Sequence, residues 1–249
     1  MKAIIIAAGS GQRISKYVKS IPKSLINVNG KAIIDYQIRA LKQAGINEII
    51  IVTGKFGEKF KMKDIQYVKD PDHQNHDILG SLMEAKEFLK DEVIVLYSDI
   101  IFEYKIIKQI LDSKENISIA IDNNWEQHYE GRTEHPKSEA ENVLINEKKE
   151  IMEIRKNIEN KNNNVGEFLG IIKFSKQGGD IFIKKYENAI RKEKKKFHDA
   201  SSISKAYLTD MLQELIDQGV KIEPVFISGK WSEIDTMQDL KRAEKLFLN

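Results

Sequence analysis

The chain has no cysteine anywhere in its 249 residues. That excludes a disulfide framework and any thiolate metal site. A strong charge of either sign is missing too: forty basic residues face thirty-eight acidic ones, a formal net charge of +2. Charge therefore makes no case for a nucleic-acid or membrane-surface partner. The one dense basic run, Arg191 to Lys196, reads as a solvated helix end. No apolar run is long enough to cross a bilayer, and the amino terminus enters a strand pattern without a signal-peptide pattern, so the expected location is cytoplasmic. Internal repeats and Pro/Gly/Ser-rich linkers are also lacking, and the single low-complexity patch, 157–164, reads as an exposed turn. A chain of this length without a linker is expected to form one domain, 1–249.

What is present is concentrated at the start. The apolar run Ala3-Ile4-Ile5-Ile6-Ala7 is short and β-branched, as a strand buried on both faces should be. It leads into Ala8-Gly9-Ser10-Gly11-Gln12-Arg13, where small residues let backbone N–H groups approach an anion closely. Pro22-Lys23 then supplies a second cation behind a stiff turn. A dinucleotide-binding loop would need a third Gly where Ile14 stands, and a P-loop would need Gly-Lys-Ser/Thr at its end. The segment instead resembles the nucleotidyltransferase signature, A-A-G-x-G-x-R followed by P-K.

Beyond this loop, helical spacing covers 31–44, ending at Gly45, and then 78–89 and 103–112, alternating with strand-like runs at 47–52, 65–68 and 92–96. This alternation predicts an α/β fold, a doubly wound parallel sheet with ligands at the carboxyl ends of its strands. From Ile117 the pattern changes. Runs at 117–121, 140–145, 151–155 and 167–174 follow one another with only turns between, which predicts added mixed strands forming a lid. Helices at 175–191, 204–218 and 236–248 and a strand at 220–227 close the chain. The expected parts are 1–116 for the nucleotide, 117–174 as an inserted acceptor lid, and 175–249 for the closing helices and metal-site strand.

Asp99 stands at the carboxyl end of a buried strand, and Asp235 just before the last helix. Mg²⁺ takes one or two carboxylates together with phosphate oxygens and water, and this pair matches that need. His73 and His76 have metal-like spacing but no third ligand nearby in sequence, and read as loop residues. Trp231 is expected to pack against the last helix, and Asp210 either meets the active site or lies on a solvated helix face.

Further segments narrow the resemblance: 131–141 (Gly-Arg-Thr-Glu-His-Pro-Lys-Ser-Glu-Ala-Glu), 166–170, 206–213 and 231–239. Together with the opening loop they make the chain similar, over nearly its whole length, to bacterial CTP-dependent cytidylyltransferases. That group includes phosphocholine cytidylyltransferases, the domains accompanying phosphonopyruvate-forming mutases, and the enzyme of capsular phosphoramidate synthesis that activates phosphoglutamine. The resemblance implies a Rossmann-like nucleotidyltransferase fold and transfer of CMP from CTP to a small phosphorylated metabolite. Ala7, Ala8, Gly9, Ser10 and Gly11 would cradle the nucleotide, and Asp77, Gly80 and Ser81 would read its base, although relatives often carry an amide where Asp77 stands. Arg13, Lys23 and Lys156 would neutralise phosphates, and Asp99 and Asp235 would hold Mg²⁺. Arg132, His135 and Glu139 would bind the acceptor, with Glu141 and Glu167 as further candidates. An Arg for a carboxylate or phosphate and a Glu for an ammonium group suit phosphoglutamine first, then 2-aminoethylphosphonate, then phosphocholine. A sugar-1-phosphate nucleotidylyltransferase and a non-catalytic nucleotide-binding regulatory domain are the alternatives; the intact Arg13, Lys23, Asp99 and Asp235 set argues against the latter.

Overall fold

The computed structural model describes residues 1–9, 14, 21–159, 164–192 and 196–248. The expected nucleotide and phosphate residues Ser10, Gly11 and Arg13 lie outside them. The first strand, β1 (Lys2–Ala7), sits in the middle of a sheet. Its side chains alternate between two cores: Ile4 and Ile6 join one, while Ala3, Ile5 and Ala7 join the other. Strand periodicity of two makes one apolar run serve both faces, which is why the run carries no polar residue.

A short hairpin, β2 (Asn27–Val28) and β3 (Lys31–Ala32), precedes helix α1 (Ile33–Gln43). Gly45 follows α1 at φ +89°, the left-handed backbone that closes a helix. β4 (Glu48–Thr53) pairs parallel to β1, and β5 (Gln66–Lys69) parallel to β4. On the other side of β1 lies β6 (Val93–Tyr97), again parallel. Helix α2 (Ile78–Glu84) is shorter than the expected 78–89, because the chain tightens into a 3-10 turn over Lys86–Lys90. After β6 come β7 (Ile100–Phe102), α3 (Tyr104–Leu111) and β8 (Ile117–Asp122).

The strands expected to form a lid belong to the same sheet. β9 (Glu141–Ile145) and β10 (Ile151–Lys156) form an antiparallel pair at its edge, and the long β11 (Val165–Phe174) joins them to β6. β11 runs antiparallel to β6, so the sheet is mixed, in the order β10-β9-β11-β6-β1-β4-β5. One residue lets β11 change neighbours. Gly170 has φ +69°, and a Cβ there would lie 2.3 Å from the Tyr97 ring; only glycine allows the strand to bend past Tyr97 and reach β9.

Helices α4 (Lys176–Arg191) and α5 (Leu208–Asp217) pack with α2 on one face, through residues such as Phe182, Met211 and Leu82. α1 and α3 cover the other through Ile34, Leu41, Ile106 and Ile110. α5 starts at Leu208, not near Ser204, because Asp210 turns back to accept the Tyr207 and Asp199 N–H groups and fixes the helix start there. Asp210 is thus a buried cap and not a solvated face residue. β12 (Glu223–Phe226), β13 (Trp231–Glu233) and α6 (Met237–Leu246) complete the chain, β12 running parallel to β8. Ile14, at the position a dinucleotide-binding loop reserves for glycine, is a buried member of the apolar group under α6. Among the described residues no helix is long and apolar enough to cross a membrane.

Candidate active site

Two strands that the sequence pattern did not announce, β7 and β13, create the site. They pair antiparallel, with Glu233 opposite Ile100, and the Ile234 N–H donates to the Asp99 carbonyl at 2.9 Å. This pairing sets Asp99 beside Asp235. Buried Gln37, on α1, fastens the Asp99 turn from below by donating to the Tyr97 and Ile100 carbonyls at 2.7 and 2.8 Å. Lys23 enters from the other direction, behind Pro22, and its Nζ donates to Asp99 Oδ2 at 2.8 Å and to Asp235 Oδ1. Burial alone would lower the Lys23 pKa; Asp99, Asp235 and Glu233 overcome that and hold it above its ordinary value.

Glu233 is the acid that sequence reasoning missed. Its carboxyl faces Asp235 and Asp99, and burial together with those two charges raises its pKa well above the usual carboxylate range. Its spacing of two from Asp235 in an extended segment was the available signal. Three carboxylates around one place form an oxygen-only donor set suited to a hard divalent cation. Asp99 Oδ1 adds a direct sign: it is buried with no hydrogen-bond partner among the described residues. The residues present therefore fit Mg²⁺ held by Asp99 and Asp235, with Glu233 alongside. His135 lies close enough to join Glu233 and Asp235, but its Nδ1 also lies 2.6 Å from Arg132 Nη2, a group that can only donate.

These residues border a cavity of about 280 Å³. Lys156, His135 and Glu139 line it, as does Asp77. Lys156 Nζ pairs with Glu139 at 3.1 Å and lies 4.7 Å from the centre of the Tyr207 ring. An adjoining cavity of about 480 Å³ takes in Ala7, Ala8 and Gly9 at the exit of β1, with Phe56, Phe60 and Asp77. Gly54 is needed here, since a Cβ would lie 2.4 Å from the Ala8 carbonyl oxygen. Asp77 borders both cavities and caps α2 through its own Oδ1.

Several expected residues are placed elsewhere. Arg132 is not among the residues lining either cavity. Its guanidinium donates to Asp239 at 2.6 Å and to Glu233 at 3.2 Å and lies over the Tyr129 ring, so its charge is already committed to buried acids. Asp239 in turn accepts the Asp235 and Thr236 N–H groups. Arg132 thus ties the 131–141 loop to the Asp235 backbone through Asp239, away from the cavity walls where the acceptor was expected. Gly80 and Ser81 stand behind the second cavity, Gly80 against the His76 ring and Ser81 donating to Asp70. His76 also bonds Asp70, and Glu84 joins the group that the sequence could not complete. Both Asp70 oxygens already accept bonds from Asp72, His76 and Ser81, which makes the group a loop anchor. Trp231 donates through Nε1 to Asp122 at 2.8 Å and lies against the His128 ring.

Two more carboxyls border the first cavity. Glu141 accepts from the Tyr97 hydroxyl at 3.0 Å, and Glu167 from the Tyr129 hydroxyl at 2.6 Å. Burial pushes their pKa values up to about 7 and about 8. With folded pKa values above those of the unfolded chain, the native state binds more protons, so their stabilising contribution is full below about pH 4.3 and is lost as pH rises through 7 to 8. The ligand-free protein is expected to lose stability from about pH 4.3 to about pH 8, at up to about 1.4 kcal/mol per pH unit for each group. Urea denaturation across that range checks it: the double variant Glu141→Gln/Glu167→Gln should flatten the slope, and an equal slope in the variant would refute the assignment.

Against known proteins, the model of the MobA-like NTP transferase domain family matches residues 3–246. The CTP:phosphoglutamine cytidylyltransferase of Campylobacter jejuni is 31% identical over 252 residues, covering 97% of this chain and 98% of that protein. The choline-phosphate cytidylyltransferase of Streptococcus pneumoniae is 36% identical over 107 residues, 41% of this chain and 47% of that one. A solved structure of a CTP:phosphocholine cytidylyltransferase from the same organism superposes with a TM-score of 0.74 at 21% identity, covering 99% of each chain.

Proposed function

Because the chain belongs to the MobA-like NTP transferase family, and is by that membership a nucleotidyltransferase, we propose that it transfers CMP from CTP to a small phosphorylated metabolite and releases pyrophosphate. L-glutamine phosphate is the first acceptor, as in capsular phosphoramidate synthesis in the cytoplasm; 2-aminoethylphosphonate and phosphocholine follow. The observation that carries the reading is the meeting of Lys23, Asp99 and Asp235 at a cavity that also holds Lys156. The relative that matches over nearly its full length supports the choice of CTP and of this acceptor.

In this reading the triphosphate lies across the exit of β1, on the backbone of Ala8 and Gly9, with the base toward Asp77. An acceptor phosphate has its second pKa near 6 and is mostly dianionic at neutral pH, so the protein need supply no general base. The barrier is the approach of one anion to another. Lys23 and Lys156 meet it by neutralising phosphate oxygens and holding the attacking oxygen in line with the α-phosphorus, a task shared with Arg13. Asp99 and Asp235 would hold Mg²⁺, which when bound would supply Lewis-acid polarisation of phosphoryl oxygens. His135 and Glu139 orient the acceptor from the cavity wall.

One observation supports the phosphocholine reading. Tyr97, Phe168, Tyr207 and Trp231 all border the cavity, and aromatic walls attract quaternary ammonium groups. A pyrophosphate-release assay with Mg²⁺ tests both, pairing CTP, UTP, ATP and GTP with L-glutamine phosphate, 2-aminoethylphosphonate, phosphocholine and glucose 1-phosphate. Turnover restricted to CTP and one amino-bearing acceptor is the expected result. Preference for glucose 1-phosphate would replace the reading with a sugar-phosphate one, and no release in any pairing would favour a non-catalytic nucleotide-binding domain.

A further inference from the structure

We propose that the acceptor carries a primary ammonium group and that Glu167, in the wall of the 280 Å³ cavity, is the residue that receives it. The inference rests on the cytidylyltransferase reading and goes further by defining the chemistry of the acceptor's other end. Glu167 lies on β11 and is only 5% exposed. Its Oε1 is fixed by the Tyr129 hydroxyl, while Oε2 is buried without a hydrogen-bond partner among the described residues. A buried carboxyl oxygen without a partner costs free energy, and at a ligand cavity a ligand's donor completes the bonding.

Among the described residues, the chain's own cations do not fill that place. Lys156 is paired with Glu139, Arg132 with Asp239 and Glu233, and Lys23 with Asp99 and Asp235. Glu141 is a second carboxyl of the same wall, fixed by Tyr97, and likewise has no ion-pair partner among the described residues. The cavity therefore carries lysines that suit a phosphate and two carboxyls that await a positive charge. A zwitterionic phospho-metabolite matches both.

The kind of cation follows from hydrogen bonding. Oε2 needs an N–H donor, which a primary ammonium has and a trimethylammonium lacks. Burial holds Glu167 protonated in the empty cavity at neutral pH, with its pKa at about 8, and an arriving ammonium group displaces that proton to solvent. Glu139, expected from the sequence to take the ammonium, is instead the partner of Lys156.

The test uses the full chain with Mg²⁺ and an α,β-non-cleavable CTP analogue, titrated calorimetrically with phosphoethanolamine, phosphocholine and ethyl phosphate. These share one scaffold and differ only at the end remote from phosphate. Wild-type protein should bind phosphoethanolamine about tenfold more tightly than either of the others, and Glu167→Gln should bring the three to within about twofold. Binding of the CTP analogue by Glu167→Gln with wild-type affinity establishes that the variant is folded. Equal wild-type affinity for phosphoethanolamine and ethyl phosphate, tighter binding of phosphocholine, or a preference that survives in Glu167→Gln overturns the proposal. Failure of the wild type to bind the CTP analogue would instead overturn the cytidylyltransferase reading beneath it.

Discussion

Asp99→Asn and Asp235→Asn should each lower kcat/KM with CTP by about 10³-fold while the protein stays folded. The size follows from the chemistry: charge develops on phosphoryl oxygens in the transition state, and a cation fixed against them is worth more there than in the ground state. The two residues are joined through Lys23, which donates to both, so each amide keeps an acceptor for Lys23 and loses only charge. A readout independent of turnover is available. A metal that binds the native state alone raises Tm; Mg²⁺ with CTP should raise the wild-type Tm, and the shift should shrink in both variants. Near wild-type rates together with an undiminished shift would remove that residue from the metal site.

Arg132→Ala is expected to act on stability first. Its side chain is only 5% exposed, neutralises Asp239 and donates to Glu233. Removing one partner of a buried ion pair leaves uncompensated charge and costs about 3–5 kcal/mol. For a chain of this size that lowers Tm by roughly 10 °C. Asp239 also holds the Asp235 and Thr236 backbone, so kcat should fall as the Asp235 carboxylate loses its fixed position. Acceptor KM should change little, and Arg132→Lys should recover part of the loss in Tm but not the two-acid geometry. An unchanged Tm with acceptor KM raised tenfold or more would return Arg132 to the acceptor pocket.

The contrast between these variants reflects what a linear pattern can carry. Asp99 and Asp235 stand out in the sequence because each adjoins a local element, the end of a buried strand and the start of a helix. Arg132 does not, because the acids that claim it, Glu233 and Asp239, lie about a hundred positions away in sequence. The same limit explains β7 and β13: three residues each, too short for a period, and stable only against one another.

The sequence by itself determined the alternation of strands and helices, the two-faced burial of β1, the opening signature and the acid and base residues available. Those properties are local, set by side-chain period, by glycine and proline backbone limits and by residue type. Tertiary structure alone decided that Lys23 lies between Asp99 and Asp235, that Arg132 is consumed by Glu233 and Asp239, and that Glu167 keeps a buried oxygen with no partner among the described residues at the cavity. The reason is physical: whether a charge is a ligand, a structural partner or an empty receptor depends on which opposite charges and how much water surround it, and folding sets both through contacts distant in the chain.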